Sequence, residues 1–439
     1  MTNSLGAADA TLAEVSLWGR TIGAVALTRG SDVASFEYDA AFVQSGIEVA
    51  PLMMPLSPQV FRFPALGRET FYGLPGMLAD SLPDKFGNAL IDAWLAMQGR
   101  KAHSFNAVER LCYTGNRGMG ALEFSPATGP IRQQVERVEV DRLVALASDV
   151  LNKRSQLHLS MDNESDALRQ ILHVGTSAGG ARAKAVIAWN PETNEVRSGQ
   201  VSAGDGFEYW LLKFDGVSGN KDKELDDPQG YGLIEYAYAR MATDAGIEMT
   251  QCRLLNENNR SHFMTKRFDR QADGSKVHMQ SLAALAHFDF NLAGAYSYEQ
   301  AFLVMRQLGL PMEQVEELFR RMLFNIVARN QDDHVKNIAF LMDKRGQWSL
   351  SPAYDVTYAY QPDGMWTSRH QMTLNGKRDG FDLDDIKACA RVASLKRGRA
   401  QTLLAQVREV VQRWQDYAGE AGVPVQQREA VQQALRLDL

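Results

Sequence analysis

The chain has 439 residues, 45% of them hydrophobic and 23% charged, with a net charge of −6. That length calls for two or three packed subdomains rather than one core. The acidic balance argues against a dedicated nucleic-acid surface, which carries a basic excess. Cys112, Cys252 and Cys389 are too widely spaced for a disulfide framework or a zinc site, and suit a reducing compartment. No stretch reaches the roughly 20 apolar residues of a membrane span. Residues 1–11 lack the basic and apolar regions of a signal peptide, so a cytoplasmic location is expected.

The first 125 residues are rich in short β signals and turns. Residues 15–18 and 23–28 predict a hairpin, and 35–38 a further strand. Residues 52–60 carry two prolines, Pro55 and Pro58, and suit an extended edge or a loop. Residues 80–98 read as a helix with Pro83 near its start and Gly99 at its end. A glycine-rich turn at 116–120 leads into a short strand at 121–124. Apolar spacing predicts a linker helix over 136–152, followed by a polar loop at 155–166. Strands follow at 185–189, 207–214 and 262–268, with a helix over 233–245 between the last two. Val315, Leu318, Phe319, Met322, Leu323, Ile326 and Val327 form one stripe of a helix over 312–330. A hairpin is predicted from 338–342 and 347–350, and a last amphipathic helix over 403–417. The expected fold is mixed α+β in three parts: a β-rich N-terminal subdomain (12–126), a small α/β lobe (136–270) and a mainly helical C-terminal lobe (271–439).

The chemistry concentrates where the 312–330 helix ends. Asn330-Gln331-Asp332-Asp333-His334-Val335-Lys336-Asn337 is too polar for a core, and loops on rigid scaffolds are where reactive groups collect. The hairpin that follows folds Asp355 back towards Asn337. Together they supply a carboxylate for an incoming hydroxyl and hard oxygen ligands for Mg²⁺, the needs of phosphoryl transfer. A solvated loop with an Asp cap is the alternative. A zinc site is poorly served, because His334 is the one histidine nearby in the sequence.

Two further features point the same way. Lys213 lies in the apolar run Tyr209-Trp210-Leu211-Leu212-Lys213-Phe214 and requires an anion, either ATP phosphates or Glu235 on the next helix. An edge lysine reaching water is the competing account. Gly175-Thr176-Ser177-Ala178-Gly179-Gly180-Ala181-Arg182-Ala183-Lys184 offers small residues that let backbone N–H groups approach a phosphate, with Arg182 and Lys184 adding charge. It does not match a Walker A loop.

On these motifs the chain resembles the HipA-type serine/threonine kinases of bacterial toxin–antitoxin systems. Asp332-x-His334-x-Lys336-Asn337 and Pro352-x-Tyr354-Asp355 look like that family's catalytic and metal motifs. Leu82-Pro83-Asp84, Gly118-Met119-Gly120-Ala121-Leu122-Glu123-Phe124 and Asn375-Gly376-Lys377-Arg378 are similar to its other landmarks. The resemblance implies a kinase-like two-lobed fold with an added N-terminal subdomain. It makes Asp332 the catalytic base, Asn337 and Asp355 the Mg²⁺ ligands, and Lys213 the contact to the α/β-phosphates. His334 and Lys336 would lie against the nucleotide, Lys266-Arg267-Phe268 would form the adenine hinge, and the Gly179–Lys184 loop would cover the phosphates.

The same resemblance makes Ser177 an autophosphorylation site, where a charge of about −2 would expel the loop. It implies ATP and Mg²⁺ as cofactors, an aminoacyl-tRNA synthetase as protein substrate, and a HipB-like helix-turn-helix antitoxin that carries the contact to operator DNA. The chain departs from the family at Arg182-Ala183, where Gln-Glu is frequent, at Asp333, where a small residue is frequent, and at Lys266, where an acid is common. Two other functions share the pattern: a kinase-fold co-repressor acting with a DNA-binding antitoxin, and a kinase of a non-protein acceptor.

Overall fold

The computed structural model describes residues 10–101, 104–129, 139–152, 171, 182–200, 203–217, 230–271 and 273–439. The N-terminal hairpin pairs β1 (Ala10–Leu17) with β2 (Arg20–Thr28). Trp18 and Gly19 between them both take positive φ, 51° and 77°, the two-residue turn whose twist suits a hairpin. β3 (Ser35–Tyr38), β4 (Val60–Phe61) and β5 (Leu122–Ser125) complete a sheet of order β4-β3-β2-β1-β5. Alternation along β1 turns Ala13, Val15 and Leu17 inward, where they meet Phe36, Phe42 and Leu74. The proline-rich stretch thus ends on an edge strand, as expected.

A second sheet, of order β7-β6-β8-β10-β9, is built from β6 (Lys184–Trp189), β7 (Val196–Ser198), β8 (Glu208–Lys213), β9 (Cys252–Glu257) and β10 (Arg260–Lys266). Every residue of β6 is buried. One face of this sheet is covered by two helices, Lys85–Met97 and Val140–Asn152, through Phe86, Leu90, Leu143 and Val144 against Ile187 and Leu212. The first of these helices comes from the N-terminal subdomain, so that subdomain shares a core with the second sheet. The Tyr231–Asp244 helix packs against β9 and β10.

The rest is helical around a small sheet of β11 (His278–Ser281), β12 (Ala339–Met342) and β13 (Trp348–Leu350). In the Met312–Val327 helix all seven stripe residues are buried, each contributing about 1.5–3 kcal/mol. The single helix expected over 403–417 is instead two, Arg399–Val411 and Trp414–Ala421. The break turns Trp414 fully inward, its ring 5.2 Å from Tyr238 and its Nε1 donating to the Arg428 carbonyl at 3.0 Å. Packing of one large side chain has overridden a continuous helical pattern. The loop expected at 155–166 lies outside the described residues. Among the described residues no helix is long and apolar enough to cross a membrane.

Candidate active site

The Met312–Val327 helix delivers the chain to the site and stops there. Arg329 takes a left-handed backbone, φ 58°, with its Nε anchored on the Ala434 carbonyl at 2.7 Å. Gln331 N–H then bonds the Ala359 carbonyl at 3.0 Å, and His334 N–H closes a turn on the Asp332 carbonyl at 2.9 Å. Val335–Asn337 forms one 3-10 turn, and Asn337 Nδ2 donates to that same Asp332 carbonyl at 2.9 Å. Asp332 Oδ1 accepts from Trp366 Nε1 at 2.7 Å, with His334 Nε2 3.9 Å away. Asp333 points the opposite way, into the protein. It accepts from Tyr298 Oη at 2.7 Å, from His370 Nδ1 at 2.8 Å and from Gln371 N–H at 2.8 Å. Burial would raise the Asp333 carboxyl, but His370 and the other donors hold it below the usual range.

The β12–β13 hairpin returns the chain as the sequence predicts. Tyr354 Oη donates to the Lys336 carbonyl at 2.6 Å, tying the two motifs together. Asp355 follows with φ 52°, a left-handed backbone that Asp and Asn adopt more readily than other non-glycine residues. Its Oδ1 lies 2.5 Å from Lys213 Nζ, and Lys213 Nζ lies 2.6 Å from Glu235 Oε1. Burial acts to lower the Lys213 pKa, but Asp355 and then Glu235 outweigh it and hold the ammonium above its ordinary value. Burial likewise acts against ionised Asp355, yet Lys213 and then Lys184 keep it below the usual carboxylate range. The lysine on β8, the glutamate on the next helix and the aspartate after the hairpin are one connected group. His334, Asn337, Tyr354 and Asp355 line a common cavity with Asp333.

Arg321 lines this cavity as well. Asn337 has its Nδ2 bound to the Asp332 carbonyl, and the Asn337 Oδ1 and the Asp355 carboxylate are hard oxygen donors on residues that line the same cavity. Among the described residues no group of three or more His, Cys, Asp or Glu could hold a metal alone. An ion here would draw its other ligands from phosphate oxygens and water.

The remaining expected positions fall as follows. Ser177, Gly179, Gly180 and Ala181 lie outside the described residues. Arg182 stacks over the Tyr231 ring at 3.6 Å. Lys184 is buried and its Nζ lies 3.0 Å from Asp84 Oδ2. Lys336 Nζ sits 5.0 Å from the Phe290 ring centroid. In the hinge segment, Lys266 pairs with Glu208 at 2.5 Å and Arg267 with Asp269 at 2.7 Å, so both side chains are engaged within the protein. Phe268 packs 5.7 Å from the Tyr354 ring. Arg270 joins Asp269 at 2.9 Å and donates to the carbonyls of Gly118 and Gly120, both at 2.9 Å. Residues 269–270 therefore grip the glycine turn of the N-terminal subdomain.

Two family patterns match this chain: the HipA-like C-terminal domain over residues 176–414 and the HipA N-terminal domain over residues 13–125. The chain belongs to the HipA family. Its fold is α+β and kinase-like, with two lobes and an added N-terminal subdomain. It is similar to HipA of Shewanella oneidensis MR-1, solved as a complex of HipA, HipB and operator DNA, with a TM-score of 0.67 at 16% identity over 97% of this chain and 94% of that one. At that identity the likeness is one of fold. The protein named "Putative kinase Y4mE" from Sinorhizobium fredii is 27% identical over 28% of this chain and 32% of its own length. Another from the same organism, Y4dM, is 26% identical over 46% of this chain and 52% of its own length. A relative from Haemophilus influenzae, also named a kinase, is 27% identical over 29% of this chain and 42% of its own length. The chain thus spans about a third to a half of the length of these relatives.

Two residues of the site, Trp366 and His370, escaped the sequence, and Asp84 and Asp333 were singled out there without their partners Lys184 and His370. One signal was present. The reasoning that demanded an anion for Lys213 applies equally to Lys184, which opens the wholly buried strand β6.

Proposed function

We propose that this HipA-family chain is an ATP- and Mg²⁺-dependent serine/threonine protein kinase, the toxin of a toxin–antitoxin module. The observation that carries the reading is Lys213 paired with Glu235 at 2.6 Å, the lysine–glutamate pair that protein kinases use, with Asp355 2.5 Å from the same ammonium. Asn337 and Asp355 would hold Mg²⁺, which when bound neutralises charge on the β- and γ-phosphate oxygens. Lys213, steadied by Glu235, takes the α/β-phosphates. Asp332, oriented by the Trp366 indole, accepts the proton of the acceptor hydroxyl. That hydroxyl oxygen bonds to the γ-phosphorus while the bond to the bridging β–γ oxygen breaks and ADP leaves. Most of this work is positioning and charge stabilisation.

The partner chemistry follows from the family. The Shewanella relative is named with HipB and operator DNA, which supports a HipB-like antitoxin for this chain, with DNA reached mainly through that partner. The proposed substrates are Ser177 of the chain itself and a protein such as an aminoacyl-tRNA synthetase. Transfer from γ-labelled ATP tests the reading: label is expected on Ser177 in the wild type and is lost in Asp332→Ala and in Asp355→Ala. Equal labelling of all three proteins would remove the assignment. A chain that is neither labelled nor thermally stabilised by Mg·ATP would instead be a kinase-fold scaffold.

A further inference from the structure

The N-terminal subdomain touches the cleft at both lobes through one short segment. Asp80 accepts from Ser281 N–H at 2.7 Å and Ser281 Oγ at 2.8 Å, on the C-terminal lobe. Four residues later Asp84 caps the Lys85–Met97 helix, its Oδ1 accepting from Gly87 N–H at 2.7 Å. The cap uses one carboxylate oxygen. The other, Oδ2, lies 3.0 Å from Lys184 Nζ, with the two side chains 4% and 2% exposed.

Lys184 is placed where a second phosphate cation belongs. It is the first residue of β6, directly after the glycine-rich loop, and it stands opposite Lys213 in the β6–β8 register. Two ammonium groups facing each other across neighbouring strands repel. Here each has its own carboxylate from a different direction: Glu235 and Asp355 for Lys213, Asp84 for Lys184. A helix cap needs no buried lysine, and a buried ion pair is a weak source of stability. What the pair does secure is the place of one cation beside another.

We propose that Asp84 is a positioning residue of the nucleotide site, holding Lys184 beside Lys213 so that the two lysines together receive the nucleotide phosphates. The N-terminal subdomain is then a working part of phosphate binding. The inference rests on the kinase reading, and nucleotide binding tests the two separately. Mg·ADP is titrated calorimetrically into the full-length wild type, Asp84→Asn, Asp84→Glu, Lys184→Met and the Asp84→Asn/Lys184→Met double variant.

Each neutralising single substitution is expected to raise Kd about tenfold, the scale of one charge-assisted contact. The double variant should bind no worse than the weaker single, because both remove the same contact. Asp84→Glu should recover part of the affinity. Asp84→Asn strands a buried ammonium and lowers Tm, whereas the double variant regains Tm without regaining affinity. That separates positioning from folding. Wild-type affinity in folded Asp84→Asn or in the double variant overturns the proposal, as do losses that add. A wild type that binds no Mg·ADP overturns the kinase reading, and this inference with it.

Discussion

The indole Nε1 of Trp366 donates to Asp332 Oδ1 at 2.7 Å, and the Trp366 carbonyl accepts from Gln371 Nε2 at 2.5 Å. The loop that carries Trp366 is thereby fastened to the same turn that carries the proposed base, since Gln371 N–H also bonds Asp333. A carboxylate with one oxygen held by a donor has a fixed plane in which to meet an acceptor hydroxyl. Trp366→Phe keeps the ring and removes the donor. Its labelling rate from γ-labelled ATP should fall about tenfold, the scale of a hydrogen bond to a charged group, with Mg·ADP affinity unchanged. Single-turnover kinetics beside the calorimetric titration checks both halves, and an unchanged rate would show that the indole does not orient Asp332.

Asp333 holds the underside of the same loop. Asp333→Ala leaves His370, Tyr298 and the Gln371 N–H without their shared acceptor inside the protein. The expected loss is about 3–5 kcal/mol of stability in urea unfolding. Asp333→Asn keeps an acceptor and should cost less.

At the hinge, Asp269 is enclosed by Arg267 and Arg270 and also accepts from Gly120 N–H at 2.7 Å. Burial opposes its ionisation, but the two guanidinium groups hold it far below the usual carboxylate range. Burial lowers Arg270 to about 10. Asp269→Ala would strand two buried cations and is expected to cost about 3–5 kcal/mol, read as a fall in the urea midpoint. Activity should drop with it, because one tie between the N-terminal subdomain and the 267–270 segment, from Gly120 N–H to Asp269, is lost.

Three histidines make the fold acid-sensitive. His262 Nδ1 accepts from Asp215 N–H at 2.9 Å, His278 Nε2 from Gln280 Nε2 at 2.8 Å, and His287 Nε2 from Gly76 N–H at 3.0 Å. Burial lowers them to about 4, about 3 and about 4 respectively. The unfolded chain protonates each near pH 6.5, so below that point it binds more protons than the folded chain. Stability from these groups is complete above about pH 6.5 and declines as pH falls towards their folded values, by about 1.4 kcal/mol per pH unit for each histidine. Urea midpoints from about pH 7 down to about pH 5 should show the decline, and His278→Gln should reduce its slope by one such increment.

Much of this was legible in the sequence where the signal is local. Strand Ser35–Tyr38 and the buried stripe of the Met312–Val327 helix were found from alternation and helical spacing. Lys213 betrayed one partner because a charge in an apolar strand needs an anion, and Glu235, the candidate within the chain, is there; its second partner, Asp355, was not foreseen. Asp84–Lys184, Trp366–Asp332 and His370–Asp333 were not legible, because each joins residues whose sequence neighbourhoods carry no sign of the other. Strand β9 was missed for a different reason. Its run Cys252–Glu257 alternates weakly, and pairing with β10 places it as an edge.

The Lys213–Asp355 pair joins residues 142 positions apart. Chains are made from the N-terminus, and their N-terminal parts fold first. The second sheet, with Lys184 and Lys213, can therefore form on the ribosome before any proposed base or metal ligand has been synthesised. A growing or prematurely ended chain that stops short of the β12–β13 hairpin would own Lys184 and Lys213 without Asp355. On the proposed kinase reading the chain would thus stay inert until the last quarter of its own translation, when residues 332–355 complete the site.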